Sequence, residues 1–192
     1  MILASPWWVN LLALVPISAY IFWRSRKLSL DKTTLVAGLI FGMAFGFVEA
    51  AVVIYLRCAS GLLPVSYGML AQIINHSGGG QPVSQVLGSL PASLVNVERL
   101  REASTIVMLV SLAALGAKNA LSRVALFLWT FATWDIAYYA GLWLTIRWPA
   151  SLSELDVLFL IPQPWISQVW FPLSVSVLTL AAVILARSPA SD

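Results

Sequence analysis

The chain has 192 residues, of which 60% are hydrophobic and 10% are charged, and its mean hydropathy is +0.88. Soluble domains carry about 25% charged residues, so this composition excludes an ordinary water-soluble domain and predicts an integral membrane protein. The net charge of +3 and the isoelectric point of 9.3 do not indicate a nucleic-acid partner, because the basic residues lie in short loops beside apolar runs.

Five apolar segments are predicted to be transmembrane helices, because about 20 helical residues cross a hydrocarbon core of about 30 Å. They leave no room for a separate soluble domain. The sequence therefore predicts one all-α transmembrane domain over residues 1–192. The predicted helices cover approximately residues 7–23, 34–56, 98–116, 124–146 and 169–186.

The first helix has tryptophan at both ends and is followed at once by Arg24, Arg26 and Lys27. A cleavable signal peptide carries its positive charges before the apolar run, whereas here they follow it. We therefore expect an uncleaved helix that enters from the outer side and ends in the cytoplasm, with a kink at Pro16.

The second helix carries a glycine stripe and one carboxylate on nearly the same face. Gly38, Gly42 and Gly46 recur every fourth residue, and Glu49 falls within about 20° of this stripe on a helix of about 3.6 residues per turn. Small residues at this spacing let another helix approach closely, and a membrane-embedded carboxylate is tolerated where it faces protein or water. We expect Glu49 to face the bundle interior. The stripe is expected to pack on a helix of this chain, a second copy or another membrane protein.

Two longer connections are predicted on the outer side of the membrane. In the first, the apolar patch Leu62–Ile74 is too short to span and contains Pro64, which predicts an interfacial or re-entrant segment. The same connection holds His76, which is expected to be solvated. In the second, residues 150–168, a polar start leads to Leu158–Ile161 and two prolines. This pattern predicts another segment that dips into the bundle.

The distribution of basic residues predicts the orientation of the chain in the membrane. Seven basic residues lie in segments assigned to the cytoplasm and four lie on the outer side, which favours an outer amino terminus and a cytoplasmic carboxyl terminus in the plasma (inner) membrane. The inner set is Arg24, Arg26, Lys27, Lys32, Lys118, Arg123 and Arg187, and the outer set is Arg57, Arg99, Arg101 and Arg147.

Carboxylates from three helices and one loop converge on the outer half of this predicted bundle. Glu98 and Glu102 lie four residues apart on one face of the third helix, and Arg101 can pair with Glu98. Asp135 is followed three and four residues later by two tyrosines. We predict a pocket that opens to the outer side, made of Glu49, Glu98, Arg101, Glu102, Asp135, Tyr138, Tyr139 and Asp156.

Carboxylates that share a dry cavity hold a proton, pair with arginine or bind a cation. The pocket is therefore predicted to bind a proton, a cation or a polar lipid headgroup, with or without catalysis. For a divalent metal ion the candidate ligands are Glu49, Glu102 and Asp135, and the sequence carries no heme or nucleotide signal. Two alternatives stay open: structural pairing of Arg101 with Glu49 or Glu102, and a non-catalytic accessory subunit of a larger membrane complex.

Overall fold

The structure, a computed structural model, describes residues 4–26, 28–59 and 92–187. These residues are mostly helical, which confirms the all-α part of the predicted class. The α-helices of this part are α1 (Val15–Arg24), α2 (Lys32–Ala59), α3 (Ala92–Gly116), α4 (Ala120–Ile146) and α5 (Trp170–Ala186). A 3-10 helix (Trp7–Leu14) precedes α1, and the strands are β1 (Ala4–Ser5), β2 (Leu155–Phe159) and β3 (Trp165–Gln168). The predicted segment Leu62–Ile74 and His76 lie outside the described residues.

Two helix boundaries differ from the prediction. The first predicted helix is divided, because Pro16 lies in the first turn of α1, where its missing N–H is not needed, and the 3-10 turns come before it. The third helix begins at Ala92, ahead of the predicted residue 98. The charged run from Glu98 to Glu102 therefore lies inside α3 and does not mark its start.

Residues 155–168, within the segment predicted to dip into the bundle, form a β-hairpin. Strands β2 and β3 are antiparallel, with Asp156 opposite Ser167, and β1 adds to the other edge of β3 in the order β1-β3-β2. The hairpin lies beside the end of α2, because the charge of Arg57 acts on Asp156 of β2. We call this end of the bundle the sheet end.

The opposite end gathers the first turns of α2 and α4 and the last turn of α5. The Ser122 hydroxyl donates to the Ser29 carbonyl at 2.9 Å, and Arg187 Nε donates to the Leu30 carbonyl at 3.0 Å. We call this the basic end, because the described cations assigned to the cytoplasm all lie here or in the adjoining turns: Arg24, Arg26, Lys32, Lys118, Arg123 and Arg187.

The glycine stripe of α2 packs directly on α4, and these two helices form the most extensive helix contact in the described part of the chain. A Cβ atom at Gly42 would lie 2.8 Å from Thr133 Cβ, and one at Gly38 would lie 3.1 Å from Leu126 Cδ1. The predicted close approach is thus confirmed. In this structure α4 covers this face, so the stripe packs on a helix of the same chain.

One helix in the described ranges, Lys32–Cys58, is long and apolar enough to cross a membrane by length and composition. Trp170–Ala186 is apolar but shorter. Helices α3 and α4 are long, at 25 and 27 residues, but α3 holds four charged side chains in its amino-terminal half and α4 contains Arg123 and Asp135. A membrane-spanning bundle of five helices therefore stays a prediction.

Candidate functional site

Arg101 on α3 joins carboxylates from two helices at the sheet end. Its guanidinium forms an ion pair with Glu49 on α2, and its Nη2 and Nε atoms each lie 2.8 Å from Glu98 Oε2. Glu49 and Glu98 are both only 7% exposed. Removing a buried charge from its partner is strongly unfavourable, so these contacts hold the amino-terminal half of α3 against α2.

Glu102 connects α3 to the hairpin. Its Oε2 atom accepts a hydrogen bond from the backbone N–H of Leu160, directly after β2, at 2.8 Å. The charges of Glu98, Arg99 and Arg101 also act on this carboxyl group. Glu102 therefore belongs to the same electrostatic group as the ion pair, although a main-chain donor is its direct partner.

Asp135 and Asp156 form a second part of the site. Asp135 Oδ2 accepts a hydrogen bond from the Ser176 hydroxyl of α5 at 2.8 Å, and Asp156 Oδ2 accepts one from the Tyr139 hydroxyl at 2.9 Å. Asp135 and Tyr139 are one turn apart on α4 and share a face. The charge of Asp156 acts on Asp135, and Arg57 acts on Asp156.

Tyr138 lies between the two parts, because the charges of Arg101, Asp135 and Asp156 all act on it. Its ring centre is 6.3 Å from that of Trp134, at an interplanar angle of 19°. Trp134 is only 6% exposed, and its Nε1 has no hydrogen-bond partner among the described residues. The rings that continue this cluster towards the hairpin belong to Phe131, Phe159, Trp165 and Trp8.

The carboxylates proposed as metal ligands do not share a centre. Glu49 pairs with Arg101, Glu102 with a backbone N–H, and Asp135 with a serine hydroxyl. In the ranges that the structure describes, no group of three or more His, Cys, Asp or Glu side chains is arranged to hold a metal ion. The structure therefore does not support the predicted divalent-metal site at Glu49, Glu102 and Asp135.

Three contributors were missed by sequence reasoning. Ser176 is one of three hydroxyl residues, with Ser174 and Thr179, in a largely apolar helix, and that contrast is a signal that could have indicated a buried polar contact. Arg57 was counted only for membrane orientation, although it acts on Asp156. The Leu160 N–H had no signal, because every residue except proline has this donor and only the hairpin brings it to Glu102.

Comparison with known proteins adds no relative from which a function could be inferred. No family model, no curated protein and no solved structure matches this chain. The function is therefore inferred from the residues and their geometry.

Asp156 lies in β2, outside the helices, and its protonation is coupled to folding. Burial raises the pKa of its carboxyl from 3.8 to about 6, while the Arg57 charge and the Tyr139 hydroxyl lower the pKa. The folded chain therefore holds this proton more tightly than the unfolded chain. The contribution of Asp156 to stability falls as the pH rises from about 4 to about 6, by about 3 kcal/mol.

Replacing Asp156 with asparagine is expected to remove this pH dependence, because asparagine still accepts from Tyr139 but has no proton to lose. Thermal unfolding in detergent between pH 4 and pH 7 measures it. Wild type should lose stability relative to Asp156→Asn as the pH rises. Glu154→Gln in the same hairpin is the control and should follow wild type. If the stability difference between wild type and Asp156→Asn does not change with pH, the protonation of Asp156 is not coupled to folding.

Proposed function

We propose that this chain is an integral plasma-membrane protein that binds protons on carboxyl groups buried at the sheet end, which faces the outer side. Support for the membrane comes first from the exposed surface. Soluble monomers rarely expose apolar patches larger than a few hundred Å². Here apolar side chains on four of the helices are at least half exposed: Ile17, Ile21, Val36, Ile40, Met43, Phe47, Val107, Val110, Leu178 and Leu185.

The interior shows the opposite pattern, because charged side chains lie inside. Glutamate and aspartate are almost never fully buried in soluble proteins unless they are paired. In a membrane protein, ionisable groups face the bundle and apolar groups face lipid. Five carboxyl residues are buried in the described part of this chain: Glu49, Glu98, Glu102, Asp135 and Asp156.

The observation that carries the proton-binding proposal is the shortage of cations around these five groups. Three arginines act on them, Arg57, Arg99 and Arg101. Asp135 pairs with a serine hydroxyl and feels the charge of another carboxylate. A buried carboxylate without a cation is costly, so a neutral acid is favoured in this setting. A proton held at Asp135 suits a relay or a general acid at this face of the membrane.

Infrared spectroscopy of the protein in lipid nanodiscs at neutral pH tests this proposal. We expect a carbonyl stretching band of a protonated carboxylic acid, and we expect Asp135→Asn to remove part of it. Glu154→Gln should leave the band unchanged. Absence of any such band, or a band that Asp135→Asn does not alter, would refute proton binding at Asp135. Recovery of the expressed chain outside the membrane fraction would refute the location.

A second candidate function is that of an accessory subunit, which the surface of α3 favours. Within the described part of the chain, α3 makes its most extensive helix contact with α4. Leu100 and Leu115 on the surface of α3 are 70% and 89% exposed. Purification in a mild detergent is expected to retain a stoichiometric partner if this face is an interface. A monodisperse particle of this chain alone would count against the subunit function.

A further inference from the structure

A cleft of about 420 Å³ lies at the basic end, away from the carboxyl groups. The first turns of α2, the last turns of α3 and the beginning of α4 enclose it. Asp31 and Thr34 line its polar part, and Ala37, Leu112, Gly116 and Leu126 line its apolar part. Small-molecule sites typically have volumes of about 300–1,000 Å³, so the cleft is large enough for part of a ligand.

The absence of a side chain at Gly116 keeps this cleft open. A Cβ atom at this position would lie 2.7 Å from Leu126 Cδ2 and 3.9 Å from Thr34 Cγ2. Both neighbours line the cleft. A side chain at position 116 would therefore project into the space that a ligand needs.

The surface around the cleft is apolar on both sides. Val36 and Ile40 on α2 and Leu115 on α3 are all more than half exposed. Under the proposed membrane location these side chains contact acyl chains. The hydrocarbon region holds no water that could fill an apolar groove. In this location a lipid acyl chain would fill the cleft.

The polar part of the cleft has charges of both signs beside it. Asp31 accepts hydrogen bonds from the Thr34 N–H and the Thr34 hydroxyl, both at 2.7 Å, and these bonds lower the pKa of its carboxyl, which stays ionised. On the other side, Arg123 Nε donates to the Ala117 carbonyl at 2.9 Å, next to Gly116. The Asp31 carboxylate therefore lines the opening, and Arg123, Lys32 and Lys118 are the cations next to it in the fold or the sequence.

We propose that this cleft binds one phospholipid of the phosphatidylethanolamine class. One acyl chain lies along Ala37, Leu112 and Leu126, the ammonium group meets Asp31, and the phosphate meets Arg123. Asp31, the charged residue that lines the cleft, can bind the amine of a zwitterionic headgroup, and an anionic headgroup without an amine lacks this contact. This inference rests on the proposed membrane location and is independent of the protonation of Asp135.

Native mass spectrometry of the full chain tests the proposal with dioleoyl phosphatidylethanolamine and dioleoyl phosphatidylglycerol, which have the same acyl chains. Wild type is expected to retain one lipid per chain and to prefer the ethanolamine lipid. Gly116→Leu should lose both lipids. Asp31→Asn keeps the bond to the Thr34 N–H but removes the charge, so the preference should fall about two- to fivefold.

Two further measurements make the outcome decisive. Ala37→Phe fills the cleft from α2, so loss of lipid in this variant as well as in Gly116→Leu, with unchanged circular dichroism, supports the site. Full lipid occupancy in both folded variants would overturn it, and equal binding of the two lipids by wild type would overturn the headgroup assignment. Asp135→Asn should bind lipid like wild type, so the experiment tests the lipid-site proposal independently of the proton-binding proposal.

Discussion

Replacing Arg101 with alanine is expected to lower the free energy of unfolding by about 3–5 kcal/mol, because it leaves buried carboxylates without their cation. Glu49 on α2 and Glu98 on α3 both pair with this guanidinium, and both are buried. The loss would also release the amino-terminal half of α3 from α2. Denaturation of the purified protein in mixed detergent micelles measures the change.

Arg99→Ala is the matched control, because Arg99 lies on the same turn but is exposed. Its effect should stay within about 0.5 kcal/mol. If Arg101→Ala unfolds like Arg99→Ala, the ion pair does not hold the helices together. The triple variant Glu49→Gln, Glu98→Gln and Arg101→Met removes all three charges. Recovery of stability in this variant would show that the cost arises from the unpaired carboxylates.

Local sequence patterns predicted the helices and the ion pair well. The apolar runs located three of the five helices within about four residues of their observed ends, because length and hydrophobicity act on each segment separately. The contact of Arg101 with Glu98 follows from i,i+3 spacing, and the pairing of Arg101 with Glu49 was one of the two alternatives considered. The other alternative, Glu102, bonds to the hairpin.

Contacts between distant segments could not be predicted in the same way. Strand β1 has two residues, and Ala4 pairs with Ser167 at the other end of the chain. Such a short strand has no periodicity, and its pairing depends on the fold already being formed. The hairpin that it joins supplies the Leu160 N–H and Asp156 to the site. The metal prediction met the same limit, since it placed three carboxylates together whereas the structure gives each of them its own partner.

The glycine stripe gives the second large effect, because it fixes the position of the α4 residues that form the site. A Cβ atom at Gly46 would collide with the Trp134 carbonyl oxygen and would lie 2.7 Å from Ala137 Cβ. Gly46→Leu is therefore expected to force α2 and α4 apart and to cost about 3 kcal/mol, the upper part of the usual range for overpacking.

Gly38→Ala is the matched control on the same stripe. Its added Cβ would lie 3.1 Å from Leu126 Cδ1 and Thr130 Cγ2 and 3.2 Å from Trp129 Cδ1, so these side chains need to shift by only a few tenths of an ångström. Alanine also favours a helix over glycine by about 1 kcal/mol, so the net change should be close to zero. Both substitutions lie on the same face of α2, at different positions along the helix. A comparison of their unfolding midpoints measures the difference in packing.

The infrared band proposed for Asp135 would show whether the stripe also controls the site. Asp135 lies between Trp134 and Tyr138, whose backbone atoms both meet a Cβ atom at Gly46. A shift of α4 there changes the distance from Asp135 to the Ser176 hydroxyl, and with it the carbonyl frequency of the protonated acid. We expect the band to move in Gly46→Ala and to stay in place in Gly38→Ala. If a folded Gly46→Ala variant keeps the band at the same frequency, packing at the stripe does not control the proposed proton site at Asp135.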